Sequence, residues 1–165
     1  MSIISSHAGM MTQSSGPGAT VRYWRVFILT TTNSPITDNA ASMAEMTYRS
    51  TPGGSNIATG GTASASNTFS GLSPANAFDG NPATIWGTNS GAGPNSWLKY
   101  AFASDVSVAE VTITARNDAP NYGVSQTPRS FRIESSPDNS NWTTEWSVSD
   151  AGAWTNGQTK IFTRP

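Results

Sequence analysis

Apolar and polar side chains alternate in short segments along most of this chain. The clearest case is residues 106–116, where Val111, Ile113 and Ala115 share one face and threonines point to the other. No window of ten or more residues keeps a helical period, and turn-forming clusters recur about every 10 to 15 residues. The pattern predicts an all-β fold, an antiparallel sandwich or barrel, with strands within residues 22–30, 44–50, 97–102, 106–116, 131–135, 142–148 and 160–163.

Large aromatic side chains supply the predicted core. The four tryptophans expected to anchor it are Trp24, Trp86, Trp97 and Trp142, because a chain this polar has few other large apolar groups to bury. In the segment 142–148, period two places Trp142, Trp146 and Val148 on one side. Trp154 lies in a glycine-flanked, loop-like segment, so an exposed position and a buried one are equally compatible with its surroundings.

The chain divides into an arm and one domain. Residues 1–20 are mostly Ser, Gly, Met and Thr with a Gly16-Pro17-Gly18 break, a composition that predicts a flexible leader or attachment arm. Residues 21–165 are predicted to form the folded domain. The arm has no Lys or Arg ahead of an apolar run, so we expect no signal peptide and synthesis in a host cytoplasm. No apolar stretch approaches the roughly 20 residues of a membrane span, which predicts no membrane insertion.

Composition excludes several function classes. Nine Lys and Arg against ten Asp and Glu give a net charge of −1, which provides no basic footprint for nucleic acid. The chain has no Cys and a single His in the arm, so a disulfide scaffold, a zinc–thiolate site and a Ser-His-acid triad are excluded. No paired carboxylates or phosphate-binding loop stand out. We therefore predict that the protein is not an enzyme.

Two stretches resemble a known family. They are Asn56 to Ser66 and Ala75 to Trp86, the latter written Ala-Asn-Ala-Phe-Asp-Gly-Asn-Pro-Ala-Thr-Ile-Trp. Together with Ser96 to Tyr100 and Phe131 to Trp142, they resemble the discoidin or coagulation factor 5/8 type C family and its related carbohydrate-binding modules. The resemblance covers about residues 56 to 163. It implies an antiparallel jelly-roll β-sandwich of the galactose-binding-like type.

The order of the motifs suggests a circular permutation. The family usually ends with a strand pair written Tyr-x-Arg-Val and Ala-Glu-Ile, and here that pair stands first, as Tyr23 to Val26 and Ala44 to Tyr48. Permutation is tolerated where the old termini lie side by side. The hypothesis predicts that residues 22–30 and 44–50 lie in the same sandwich as residues 97–102, and not in a separate domain.

The resemblance also implies one structural Ca²⁺. Relatives commonly hold it with carbonyl, Asp, Thr and Glu oxygens, which suits an ion that takes roughly six to eight oxygen ligands. Carried over to this sequence, the ligands are Glu45, the Phe78 carbonyl, Asp79, the Asn81 carbonyl and Thr84. The alternative is an ion-free turn in which Asp79 accepts hydrogen bonds from backbone amides.

Sugar-binding relatives use loops at one end of the sandwich, with an Arg, an Asn and an aromatic residue. The matching loop follows the strand ending at Arg116 and has no His beside it. Guanidinium and amide groups pair with hydroxyls while an aromatic ring covers the C–H face of a sugar. The expected ligand-binding residues are Arg116, Asn117, Asn121, Tyr122 and Trp154.

Two functions from different classes follow. The permuted layout resembles domains of bacteriophage tail, fibre and head-decoration proteins. The first hypothesis is a non-enzymatic virion protein, present in many copies, that binds a cell-surface glycan for adhesion to the host and contacts other virion proteins through its arm. The alternative is a purely structural decoration or accessory protein that uses the jelly roll for protein–protein assembly.

Overall fold

A computed structural model describes residues 18–165 of the chain. Within that range the regular secondary structure is almost entirely strand, with a 3₁₀ turn at Pro74–Phe78 and a short helix, α1, at Tyr122–Gln126. The strands are β1 (Thr20–Thr31), β2 (Ser42–Met43), β3 (Glu45–Arg49), β4 (Thr62–Ala65), β5 (Trp86–Gly87), β6 (Trp97–Ser107), β7 (Glu110–Thr114), β8 (Pro128–Ser136), β9 (Thr143–Val148) and β10 (Thr159–Thr163). Residues 1–17, most of the predicted arm, lie outside the described residues.

The strands form a sandwich of two main sheets. One sheet has five strands in the order β4-β6-β1-β8-β9, and the other has three in the order β10-β7-β3. β2 and β5 pair separately, and every pairing in residues 18–165 is antiparallel. The predicted all-β, antiparallel sandwich is confirmed.

β1 is the central strand of the larger sheet. It pairs with β6 on one side and β8 on the other. Trp24, Val26 and Ile28 point inward and are fully buried, whereas the residues between them are partly exposed. β1 therefore buries only one face. This is the pattern expected of a strand whose sheet has one side on the core and the other toward solvent.

Aromatic pairs join the two sheets. Tyr48 of β3 meets Phe102 of β6 edge-on, with ring centroids 5.6 Å apart. Phe131 of β8 meets Phe162 of β10 in the same way at 5.0 Å. Such edge-to-face pairs add about 0.5–1.5 kcal/mol each beyond the area that they bury. The core therefore lies between the sheets.

Residues 20–49 belong to this same sandwich. β1 is hydrogen-bonded to β6, and β3 pairs with β7 from Glu45 to Arg49. The two ends of the described chain also meet, because Gly18 lies so close to the Arg164 side chain that a Cβ would overlap it. The placement that the permutation hypothesis predicts is confirmed, while the permutation itself stays a prediction.

Two of the four predicted tryptophan anchors lie elsewhere. Trp24 and Trp86 are fully buried. Trp97 and Trp142 are only partly buried, and both lie on the outer surface of the five-stranded sheet beside Arg25. Trp142 precedes β9, and a register shift between Ile133 and Glu134 breaks the alternation that placed it with Trp146. In the part of the chain described here, no helix has the length and apolar character needed to cross a membrane.

Candidate functional site

Arg116 is the centre of a polar network at one end of the sandwich. Its guanidinium donates two hydrogen bonds to Asp118, at 2.7 and 2.6 Å, and a third to Gln126 Oε1 at 3.0 Å. The hydrogen bonds and charge of Arg116 lower the pKa of Asp118 and outweigh the opposing effect of its burial. Arg116 is only 9% exposed, so its planar group is held in one orientation.

The network continues into a second loop. Gln126 Nε2 donates to Asp38 Oδ2 at 2.7 Å, and Ser42 Oγ donates to Gln126 Oε1 at 2.9 Å. Asp38 Oδ1 in turn accepts from the Ala40 amide at 3.1 Å. Two segments that are distant in sequence, residues 38–42 and 116–126, thus fix each other, which preorganises the polar groups around Arg116.

Local backbone chemistry places Tyr122 beside Arg116. Asn121 has a φ of 67°, a left-handed conformation that Asn tolerates better than most residues, and α1 begins directly after it. Gly123 lies so close to the Arg116 carbonyl and the Asn156 side chain that a Cβ would overlap both. The helix therefore packs tightly against the loop, and the Tyr122 ring lies 4.8 Å from the Arg116 guanidinium carbon.

These groups line a cleft of about 280 Å³. Phe69 and Leu72 form an apolar wall, and Phe69 is 51% exposed. The remaining lining residues are Asp38, Ala40, Gly87, Thr88, Ser90, Arg116, Tyr122 and Gln126. A concave site with an aromatic wall and a few convergent polar groups is typical of small-ligand sites.

The other predicted ligand-binding residues are distributed differently. Asn117 is exposed and lines a separate cleft of about 430 Å³, together with Pro82, Ala83, Thr114, Ala115, Asp118 and Gly157. Asn121 is exposed on the loop between the two clefts. The structure thus brings Arg116 and Tyr122 together and places the two asparagines outside their cleft.

Trp154 is a core residue. It is 2% exposed, and its indole N–H donates to the Pro128 carbonyl at 3.0 Å. Its ring packs near Phe162, with centroids 6.3 Å apart, and the Lys160 ammonium lies 4.4 Å from its centroid. The expectation that Trp154 contacts a ligand is corrected, because the sheet and Lys160 cover the ring.

Sequence reasoning missed part of the cleft. Asp38, Leu72 and Gln126 carry no motif and come from segments that meet only in the folded chain. Phe69 lies in a polar stretch and is one of few large apolar side chains exposed in residues 18–165. An isolated aromatic residue between Ser, Thr and Gly was the one available signal for it.

Four of the five expected ion ligands converge at one loop. Asp79 Oδ2 accepts a hydrogen bond from Thr84 Oγ1 at 2.7 Å, and Asp79 Oδ1 accepts one from the Asn81 amide at 2.8 Å. Glu45, from β3, lies close enough to the Asp79 carboxyl group for Asp79 to raise the Glu45 pKa. The ring of the fifth, Phe78, packs on Tyr48 and Tyr100 and so fixes the backbone before Asp79.

Two carboxyl groups therefore face each other. Burial, together with the neighbouring Asp79 carboxyl group, raises the pKa of Glu45 to about 7, against the lowering effect of the Gly80 and Asn81 amides. Glu45 Oε1 is buried and has no hydrogen-bond partner.

The donor set fits a hard cation in part. Glu45, Asp79 and Thr84 offer the hard oxygens that Ca²⁺ prefers, and the unpartnered Oε1 gives such an ion a place to bind. The Asn81 carbonyl already accepts from Thr84 N at 3.0 Å and from Thr84 Oγ1 at 2.8 Å. Within residues 18–165, no three His, Cys, Asp or Glu side chains are placed so that they could hold a metal ion together, so the remaining ligands would be main-chain and hydroxyl oxygens.

Comparison with known proteins gives one match. The model of the F5/8 type C domain matches residues 61–165. No curated protein matches the chain, and no solved structure does so either. The matched range contains the Arg116 loop, α1 and the Asp79 loop, whereas Glu45 and Asp38 lie before it.

Proposed function

Because the chain belongs to the F5/8 type C domain family, whose members are generally non-catalytic binding modules, we propose that it is a glycan-binding module. Its ligand occupies the cleft between Phe69, Arg116 and Tyr122. The observation that carries the proposal is the pairing of an exposed aromatic wall with a preorganised polar floor. No enzymatic role is part of the proposal.

The cleft suits a sugar by size and chemistry. Its volume lies just below the roughly 300 Å³ at which small-molecule sites begin, so it accommodates a terminal sugar ring better than a long chain. Phe69 and Tyr122 offer ring faces for the C–H side of a pyranose. Asp38 accepts hydrogen bonds from hydroxyl groups, and Arg116 and Gln126 donate to them.

A glycan array with the full chain tests the proposal. We expect selective binding by the wild type, and Phe69→Ala and Tyr122→Ala each to weaken it at least about tenfold, since each removes a stacking surface. Asn117→Ala, in the other cleft, is the matched control and should bind like the wild type. Because Phe69 is 51% exposed, Phe69→Ala should leave the Tm nearly unchanged.

Two results would overturn the cleft as a sugar site. One is the absence of binding to any glycan by the wild type. The other is wild-type affinity in both Phe69→Ala and Tyr122→Ala. The Tm of each variant, measured on the same samples, shows whether a loss of binding is caused by unfolding.

We also propose that the loop 78–84 and Glu45 hold one structural Ca²⁺. The support is the buried, unpartnered Glu45 Oε1 together with the nearby Asp79 carboxyl group. When bound, the ion would supply charge neutralisation for the two carboxylates and would join the loop to β3. Its role is stability and not ligand chemistry.

The virion setting is the broadest part of the proposal. Multicopy display would turn weak sugar contacts into adhesion to a host surface, with the arm contacting other virion proteins. In the purely structural alternative, Tyr122 and Phe69 would be covered by another subunit. Copurification with phage particles, followed by labelling of these two side chains on the particle, separates the two roles.

A further inference from the structure

A second exposed surface lies on the outer side of the five-stranded sheet. We call it the outer face, and its members alternate with the buried residues of three adjacent strands. They are Tyr23, Arg25 and Phe27 of β1, Trp97 and Lys99 of β6, Arg132 and Glu134 of β8, and Trp142 from the loop before β9. The Arg116 cleft contains none of them.

Cations and aromatic rings are interleaved on this face. The Arg25 guanidinium carbon lies 4.0 Å from the centroid of Trp142 and 5.3 Å from that of Phe27. Arg132 lies 4.7 Å from the Phe27 centroid, and Lys99 Nζ lies 5.3 Å from that of Trp97. Each such contact holds a long side chain in place over a ring. The outer face is therefore an ordered platform.

Positive charge on the outer face exceeds negative charge. Its one carboxylate, Glu134, pairs with Arg25 at 2.6 Å and lies 3.0 Å from Arg132, and its side chain is only 5% exposed. Lys99 donates to the neutral Asn139 amide oxygen at 2.6 Å and forms no ion pair within residues 18–165. One cation of the three thus lacks an anionic partner.

Asp138, which precedes the Lys99 partner Asn139 in the chain, does not fill that role. Asp138 lies in the loop after β8, where its oxygens accept from the Ser140 and Asn141 amides and from the Asn141 side chain. These bonds hold the pKa of Asp138 well below its usual range. The Asp138 carboxylate is therefore stabilised by groups of its own loop and forms no ion pair with Lys99.

Lys99 and Arg25 are opposite each other in register on adjacent strands. Burial and the charge of Arg25 together lower the pKa of Lys99. Like charges directly across a strand pair are destabilising. A bound anion would reduce this repulsion between Lys99 and Arg25. The whole chain has a net charge of −1, which makes this local excess of cations a distinct feature.

We propose that the outer face binds a glycan chain that carries carboxylate groups, such as a polyuronate. Pyranose C–H faces lie on Trp97 and Trp142, which are both partly exposed, and the sugar carboxylates pair with Lys99, the cation that has no anionic partner. The outward hydroxyl of Ser64, opposite Lys99 in register, borders the same surface. The site is separate from the cleft, so it stands whether or not the cleft binds a sugar.

Charge favours an acidic glycan over a nucleic acid. Aromatic rings and cations also suit a single strand of nucleic acid. The remainder of the chain, however, carries an excess of acidic side chains, which repels a polyphosphate more than a polymer with one carboxylate per sugar. The outer face also offers only a few cations, fewer than a phosphate track requires.

Polygalacturonate is the probe, and its fully methyl-esterified form is the neutral control with the same backbone. We expect the full chain to bind the acid form, to bind it less tightly as NaCl rises, and to bind the ester at least tenfold more weakly. Lys99→Gln should weaken binding about fivefold, and Trp142→Ala about tenfold. Arg129→Gln is the control, because it removes the same charge from an exposed pair with Asp150.

The Tm of Lys99→Gln also distinguishes a binding role of Lys99 from a structural one. Since the substitution removes one of two facing cations, its Tm should equal or exceed that of the wild type while binding falls. Equal binding of acid and ester, wild-type affinity in Lys99→Gln, or no binding to the acid form would each overturn the proposal. Tighter binding of a single-stranded oligonucleotide than of polygalacturonate would assign the face to nucleic acid instead. Wild-type binding by Phe69→Ala would confirm that the cleft is a separate site.

Discussion

Glu110 is a buried carboxylate that ties three strands to a turn. It is 4% exposed and accepts hydrogen bonds from Arg49 at 2.8 Å, from the Gly53 amide at 3.1 Å and from Thr163 at 2.9 Å. Burial alone would raise its pKa, but the bonds from Gly53, Thr163 and Arg49 lower it below the ordinary 4.5. The folded state thus favours the charged form.

The lowered pKa of Glu110 predicts a pH-dependent contribution to stability. The contribution is present above pH 4.5 and is lost as the pH falls through the lower folded-state pKa. We expect Glu110→Gln to reduce the free energy of unfolding at pH 7 by about 1–3 kcal/mol, and to differ less from the wild type at pH 3. Urea unfolding at both pH values measures this. Asp150→Asn, in an exposed pair, is the control and should change stability little.

The residues of the candidate site were predictable only where they lie in one motif. Arg116 and Tyr122 belong to a single loop and could be found from the sequence. Asp38 and Gln126 could not, because their contact depends on the packing of α1 against a distant loop. Trp154 was ambiguous for the same reason, since its partners Pro128 and Phe162 are on other strands.

At the level of elements, the Asp79 loop and β3 are joined through Glu45. If Ca²⁺ binds there, saturating Ca²⁺ should raise the Tm by several degrees over a chelated sample, because an ion at about 100 times its Kd contributes about 2.7 kcal/mol. Asp79→Asn should remove most of this response. Asp105→Asn changes an exposed carboxylate outside the loop and should keep it. A Tm that is the same with chelator and with Ca²⁺ would contradict the ion.

Period two located most strands but not their irregularities. The inward side chains of β1, β6, β7 and β8 form much of the core. β1 nevertheless has register shifts near both of its ends, and β7 is buried on both faces. β9 departs from the alternation, because the register shift after Ile133 moves Trp142 to the outer face. β2 and β5 have two residues each, too few to carry a period, so only tertiary pairing defines them.

For the whole molecule, the chain order and the family match are the relevant features. The match begins at residue 61, yet β1 and β3, which precede it, supply a central strand and an edge of the sandwich. Under the permutation hypothesis, the old termini were joined at the Pro52-Gly53-Gly54 turn. The new ends were made where Gly18 and Arg164 lie side by side.

The permutation hypothesis predicts that the older order still folds. A variant that joins residue 165 to residue 18 through a short Gly-Ser linker and begins at residue 55 should have the same β-rich circular dichroism and a Tm within several degrees of the wild type. Opening the joined chain within β8 is the control and should prevent folding, since β8 pairs on both sides. An unfolded first variant would count against the hypothesis.

The central position of β1 has a consequence for synthesis. β1 is the first of the described strands to leave the ribosome, but its partners begin only at Trp97 and Pro128. Its apolar stretch from Tyr23 to Leu29 therefore stays unpaired until most of the chain has been translated. Long-range pairing of this kind slows folding and exposes aggregation-prone surface, so the nascent chain is expected to depend on chaperones until Ser136 has emerged.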